Sequence, residues 1–225
     1  MGQRADVLAA LAVEVIAVKR AHPVRVAVDG CSAAGKTTLA DELGAALRTR
    51  TRREVIRVGI DHFKREVALR TRFPHDSPES YYLDSWNNEA IRSELLAPLG
   101  PGGSRRYRRE LMDFAAINVS NDPVRFATDD AILVADGCFR QRPELDGHWD
   151  LRIFVDVSFD DVLRRGVERD QAWMTSAAEA ERRYRTKYLP GERRYVAEVG
   201  PRERVQLVVD NRDFDAPRLV APRVG

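Results

Sequence analysis

Two kinds of apolar pattern alternate along the chain. Short runs rich in β-branched residues stand at Val24–Val28, Val55–Ile60, Ala131–Asp136, Leu151–Asp156 and Val205–Val209, each closing near an Asp or Gly. Their near-continuous hydrophobicity predicts strands buried on both faces. Between them, apolar positions recur at three- and four-residue spacing. Leu8, Leu11, Val15 and Val18 mark an N-terminal helix within 1–22, and Leu39, Leu43, Ala46 and Leu47 mark a helix from Thr37 to Arg50. Phe159, Val162, Leu163 and Val167 mark another, opened by Ser158 with Asp161 as a capping pair. A further helix is predicted over Asn87–Leu96, followed by a Pro- and Gly-rich loop over 98–104. Strand and helix in alternation predict an α/β fold, a three-layer sandwich with a mainly parallel five-stranded sheet.

The 225 residues, 44% of them hydrophobic, suffice for one sizeable core, so we expect one domain spanning 1–225. Its 37 basic and 35 acidic side chains leave a formal net charge of +2, which gives no basic footprint for a nucleic-acid partner. No apolar run reaches the roughly 18 to 20 residues of a membrane span, so no membrane partner is expected. Cys31 and Cys138 are the two cysteines. Cys31 lies in a loop that a disulfide would constrain, so reduced thiols and a cytoplasmic location are expected.

That loop carries the strongest chemical signal. Gly30-Cys-Ser-Ala-Ala-Gly-Lys-Thr37 satisfies G-x-x-x-x-G-K-[ST] and sits between a predicted strand and a predicted helix, the context this phosphate-binding loop requires. Glycines let main-chain N–H groups curl around a polyphosphate, and the helix N-terminus adds partial positive charge. Gly30, Cys31, Ser32, Ala33, Ala34, Gly35, Lys36, Thr37 and Thr38 are therefore the expected ATP-binding residues. Lys36 would serve the β and γ oxygens, and the Thr37 hydroxyl Mg²⁺. No Asn-Lys-x-Asp guanine motif occurs.

The ordered set Val26 to Leu39, Ile60-Asp-His-Phe63, Leu133-Val-Ala-Asp-Gly137 and Arg164-Arg-Gly-Val-Glu-Arg-Asp170 resembles the uridine kinase and phosphoribulokinase family of P-loop kinases, over roughly residues 23 to 217. The resemblance implies a nucleotide-kinase-like sandwich with a lid over 165–190 and an acceptor-binding insert over 61–130. It implies ATP and Mg²⁺ as the cofactors and a small-molecule acceptor, first of all a nucleoside. Asp61 then faces the acceptor hydroxyl, where a carboxylate can orient it and accept its proton. Asp136, at the place of the family's Glu-Gly, stands as a carboxylate for Mg²⁺, either direct or through water. Arg165 and Arg169, four residues apart on one helix face, match lid arginines that neutralise charge during transfer, Arg169 also touching substrate. Asp84 and Tyr107 match residues that bind the acceptor. The chain departs from the family in lacking its His-Pro before Asp84 and its Tyr-Asp-Phe and downstream His around Tyr107, so acceptors other than uridine stay open. Homo-oligomerisation stays open too.

Other residues have two readings each. Tyr81, Tyr82 and Trp86 either stack on a base or pack as core. Arg182, Arg183, Arg185 and Lys187 continue the basic stretch, or form a solvated helix face. Arg105, Arg106, Arg108 and Arg109 would suit an acceptor that itself bears phosphate. His62, His75 and His148 lack a second ligand at metal spacing, so no zinc site is read. From a different class, the chain would be a nucleotide-binding switch with no acceptor-stimulated turnover.

Overall fold

The computed structural model describes residues 3–220. In chain order its elements begin with α1 (Gln3–Ala17), β1 (Val24–Gly30), α2 (Lys36–Arg50) and β2 (Val55–Gly59). Through the insert run α3 (Asn88–Ile91), β3 (Arg106–Tyr107) and β4 (Arg125–Phe126). Next come β5 (Ile132–Asp136), α4 (Pro143–Asp146), β6 (Leu151–Asp156), α5 (Phe159–Asp170), α6 (Ala177–Arg183), α7 (Leu189–Val199), β7 (Leu207–Asp210) and β8 (Arg218–Val220). The main sheet runs β2-β5-β1-β6-β7-β8. Its first five strands are parallel, as the apolar runs predict, and β8 pairs antiparallel on β7. This sixth strand went unread because it spans three residues, none of them buried.

Strand β1 occupies the interior of the sheet and every one of its residues is buried. Its alternation divides two cores. Val24, Val26 and Val28 join Leu39, Leu43 and Leu47 of α2 and Leu11 and Val15 of α1 on one face. Ala27 faces the other, with Ile60, Phe63, Leu95, Leu133 and Phe139. Each Leu or Val removed from water here contributes about 1.5–3 kcal/mol, which is why the amphipathic helices settle on these faces.

Helix α1 stops at Ala17, short of the expected 22, and Pro23 disfavours helical backbone at the last of those residues, His22. The helix expected over Asn87–Leu96 divides into α3 and a π-helical turn, Arg92–Leu96, and the last strand begins at Leu207 instead of Val205. Most of the insert is irregular. Its short elements include the 3₁₀ turn Ile60–Phe63, the π-helical turn Ser80–Asp84 and the two-stranded β3–β4 ribbon. No helix among the described residues is long and apolar enough to cross a membrane.

Candidate active site

The phosphate loop leaves the C-terminal end of β1, where a parallel sheet gathers its ligand-binding loops. It curls because two glycines take conformations closed to other residues. Gly35 has φ 91°, and a Cβ there would lie 2.6 Å from Asn211 Nδ2. At Gly30, φ is 150° and a Cβ would lie 2.6 Å from the Val155 carbonyl. Asn211, just past β7, donates from Nδ2 to the Ala34 carbonyl at 2.7 Å and so pins the loop from beyond the last parallel strand.

Lys36 is buried and donates its ammonium to the Cys31 carbonyl at 2.6 Å, folded back across the loop. Burial alone would lower its pKa. The neighbouring Cys138, Glu192 and Asp136 more than offset this and raise it, so the lysine carries its charge. The Thr37 hydroxyl donates to Asp136 Oδ2 at 2.6 Å. Asp136 Oδ1 lies 2.7 Å from Arg57 Nη2, out of line for a hydrogen bond, and has no aligned donor. A hydroxyl and a carboxylate side by side at the loop are the hard oxygen donors Mg²⁺ takes when phosphate and water complete its shell. The residues present therefore fit that ion. No cluster of three or more His, Cys, Asp or Glu is arranged for a metal among the described residues.

An open cleft of about 1040 Å³ lies over the loop, lined on one side by Ala33, Gly35, Lys36, Thr37 and Thr38 and on the other by Arg164, Arg165 and Arg169. Thus the structure brings Arg164, Arg165 and Arg169 of α5 to the phosphate loop. Arg165 Nη2 donates to the carbonyls of Asn211 and Arg212 at 3.0 and 2.6 Å, while its buried Nη1 has no partner. Arg169 is held by Asp170 at 2.6 Å and by the Tyr184 hydroxyl. Arg212 and Phe214 close the outer end of the cleft. Sequence reasoning missed the 211–214 segment, although its place after a parallel strand was a usable signal.

Asp61 sits in the 3₁₀ turn that follows β2, 3.6 Å from Lys64 Nζ, with 39% of its side chain exposed. Its crowded surroundings would raise the carboxyl pKa. The charges of Lys64, Lys36 and Arg140 outweigh that and hold it below the usual carboxylate range. Asp84 ends the Ser80–Asp84 turn and is fully buried. Neither of its carboxylate oxygens has a hydrogen-bond partner, although Arg65 Nε approaches one to 3.3 Å. Arg65 Nε, Arg70 Nη2, Trp86 Nε1 and Arg140 Nη1 are likewise buried without partners. The sequence had not singled out Arg65, Arg70 or Arg140; Arg140, followed by Gln141 and Arg142, is nonetheless fully buried.

The remaining candidates fall elsewhere. Tyr107 is buried on β3 and lines a separate recess of about 320 Å³ with Arg48, Glu54, Arg57, Arg109 and Arg125. Arg105 pairs with Asp129, Arg108 with Glu94 and Arg109 with Asp122, on the outer ribbon. Tyr81, Tyr82 and Trp86 are core: all three meet Phe139 edge-on, with ring centroids 5.0–5.3 Å apart. Of the basic stretch, Arg182 and Arg185 pair with Glu179 and Glu181 as a helix face would, whereas Lys187 is buried against the His75 carbonyl.

No family model matches the chain, and no curated protein matches it. Solved structures do. A Bacillus stearothermophilus protein described as a possible uridine kinase superposes with a TM-score of 0.70 at 21% identity, covering 90% of this chain and 97% of its own. A Silicibacter protein described as a candidate fructose transport system kinase gives 0.69 at 23%, covering 84% and 94%. The D-glycerate 3-kinase of Cryptococcus neoformans gives 0.53 at 11%, covering 86% and 87%. With its parallel sheet, its curled loop after β1 and the arginines of α5 over that loop, the chain has the fold of the uridine kinase-like P-loop kinases.

Proposed function

We propose that the chain transfers the γ-phosphoryl group of ATP to a hydroxyl of a small acceptor, with a nucleoside as the first candidate. The observation that carries this reading is the pairing of a complete phosphate loop with a second carboxylate centre. Asp61 is ionised and partly open, with Lys36 among the charges that hold its pKa down. Asp61 accepts the acceptor's proton as the bond to phosphorus forms. Lys36 swings from the Cys31 carbonyl to the transferred group, and Arg165 and Arg169 neutralise charge from the lid side. Thr37 and Asp136 would hold Mg²⁺, which would supply positive charge to the triphosphate. Arg212 and Phe214 offer flat faces to the base. The free thiols of Cys31 and Cys138 fit a cytoplasmic setting. Measuring ADP release with nucleosides, sugars, sugar phosphates and hydroxy acids tests the reading. Release no faster with any acceptor than with water would favour the nucleotide switch.

A specific observation favours a second acceptor class. Three unpartnered guanidinium nitrogens, of Arg65, Arg70 and Arg140, lie in the same half of the molecule as Asp61 and Asp84. They suit an acceptor with an anionic group, in place of the Arg105–Arg109 cluster that the sequence suggests. In the same assay, preference for a phosphorylated or carboxylated polyol over every nucleoside would decide for it.

A further inference from the structure

Glu192 plays no part in the transfer just described, yet it reaches the phosphate loop. It lies in the first turn of α7, the helix that follows the lid, and is fully buried. Its Oε1 accepts the Ser32 main-chain N–H at 2.6 Å and the Tyr81 hydroxyl at 3.2 Å. Ser32 Oγ and the Tyr81 hydroxyl are themselves 2.9 Å apart, and Glu192 Oε2 has no partner. A carboxylate held away from water is costly, and burial pushes this one's pKa up. A Leu or Met would fill the space without that cost. Three segments meet at this carboxylate: the phosphate loop through Ser32, the Ser80–Asp84 turn through Tyr81, and the lid's exit helix through Glu192 itself. Tyr81 lies in the same short turn as Asp84, so a shift of that turn reaches Ser32 through one hydroxyl.

We infer that Glu192 is a positioning residue: with Tyr81 it fixes the first half of the phosphate loop and couples it to the acceptor turn and the lid. This rests on the phosphotransfer reading. Its action is to accept two hydrogen bonds, so glutamine, whose amide oxygen can accept both, should replace it.

The test is titration of the full chain with ADP and Mg²⁺, with thermal melting alongside, for wild type, Glu192→Ala, Glu192→Gln and Tyr81→Phe. Loss of a hydrogen bond to a charged group predicts about tenfold weaker ADP binding for Glu192→Ala. Glu192→Gln should stay within about threefold of wild type, and Tyr81→Phe should fall between. The Ala/Phe double variant should lose less than the product of the two single losses, because Tyr81 and Glu192 act on the loop as one hydrogen-bonded unit. A folded Glu192→Ala that binds like wild type, a Gln variant no better than Ala, or losses that multiply in the double variant would each overturn the link and leave the phosphotransfer reading standing. A wild type that melts cooperatively and ignores ADP would bring down both. Should Glu192→Ala fail to fold, Tyr81→Phe and Glu192→Gln decide: Tyr81→Phe at wild-type affinity, or Glu192→Gln weakened about tenfold, overturns the link.

Discussion

The two halves of the site are built in opposite ways. Around the phosphate loop most polar groups are tied to one another within the protein, Lys36 to Cys31, Thr37 to Asp136, Ala34 to Asn211 and Ser32 to Glu192, with Asp136 Oδ1, Arg165 Nη1 and Glu192 Oε2 left over. These ties come from strand ends and helices anchored in the main sheet. Around Asp61 and Asp84 the elements are single turns, and five of the thirteen buried side-chain polar atoms without partners, among the described residues, belong to Arg65, Arg70, Asp84 and Trp86. Buried polar groups are ordinarily satisfied, so a concentration of unsatisfied ones marks where a partner from outside is recognised. On the proposed phosphotransfer reading, the nucleotide half is preformed for a ligand shared by many proteins, while the acceptor half would be completed by its own.

The sharpest way to break this contrast is at Lys36. Lys36→Ala should lower turnover at least about 10²- to 10³-fold by removing a fixed charge at the transferred group. The melting temperature should barely change, and calorimetry beside a coupled ADP assay reads both. Unchanged turnover would remove the phosphate half from the mechanism. Asp61→Asn comes next, with a loss of about 10²- to 10⁴-fold in turnover and ADP affinity within about threefold of wild type. A matching loss of nucleotide affinity would show that the halves are not separable.

Acidity offers a third probe. Asp61 has its carboxyl pKa held below the ordinary value, so the base is ionised throughout neutral and mildly acidic pH. Turnover should therefore not fall through Asp61 until the medium passes below about pH 4, the unperturbed carboxylate value. In a pH–rate profile, an acid limb near pH 6 that persists in Asp61→Asn would belong to another group. Asp84→Asn should act on the acceptor alone, raising its KM about tenfold as one charge-assisted hydrogen bond is weakened, with the KM for ATP unmoved. Smallest of all is Tyr107→Phe. Its ring packs in the recess beside Glu54 and Arg109, so kcat/KM for the acceptor should change less than about twofold; a larger change would extend the acceptor half to the outer ribbon.

The same contrast explains what could be read from residues alone. The strands of the main sheet were legible because burial on both faces forces an apolar run, and the loop because few backbones can wrap a phosphate. Ser158 accepts the Asp161 N–H at 3.0 Å, the cap its spacing predicts. In the insert no periodicity survives turns of four or five residues, so Asp61 and Asp84 came from the family resemblance and not from pattern. Arg140 and Glu192 were invisible for another reason. A charged residue beside other polar ones, as Arg140 is beside Gln141 and Arg142 and Glu192 beside Arg193 and Arg194, reads as a surface position, and only the folded chain shows it buried. The π-helical turn at Tyr184–Tyr188 is equally unmarked, since its residues would serve an ordinary helix.

The register of β1 has one more consequence. Val24 pairs with Ile132 and Val26 with Leu151, so both neighbours of the strand that carries the loop are made long after it. During synthesis the nascent N-terminal third holds β1 as an exposed hydrophobic segment without neighbours, and the nucleotide cradle cannot close until Leu151 has left the ribosome. Truncated products ending before that point should aggregate instead of binding ATP weakly.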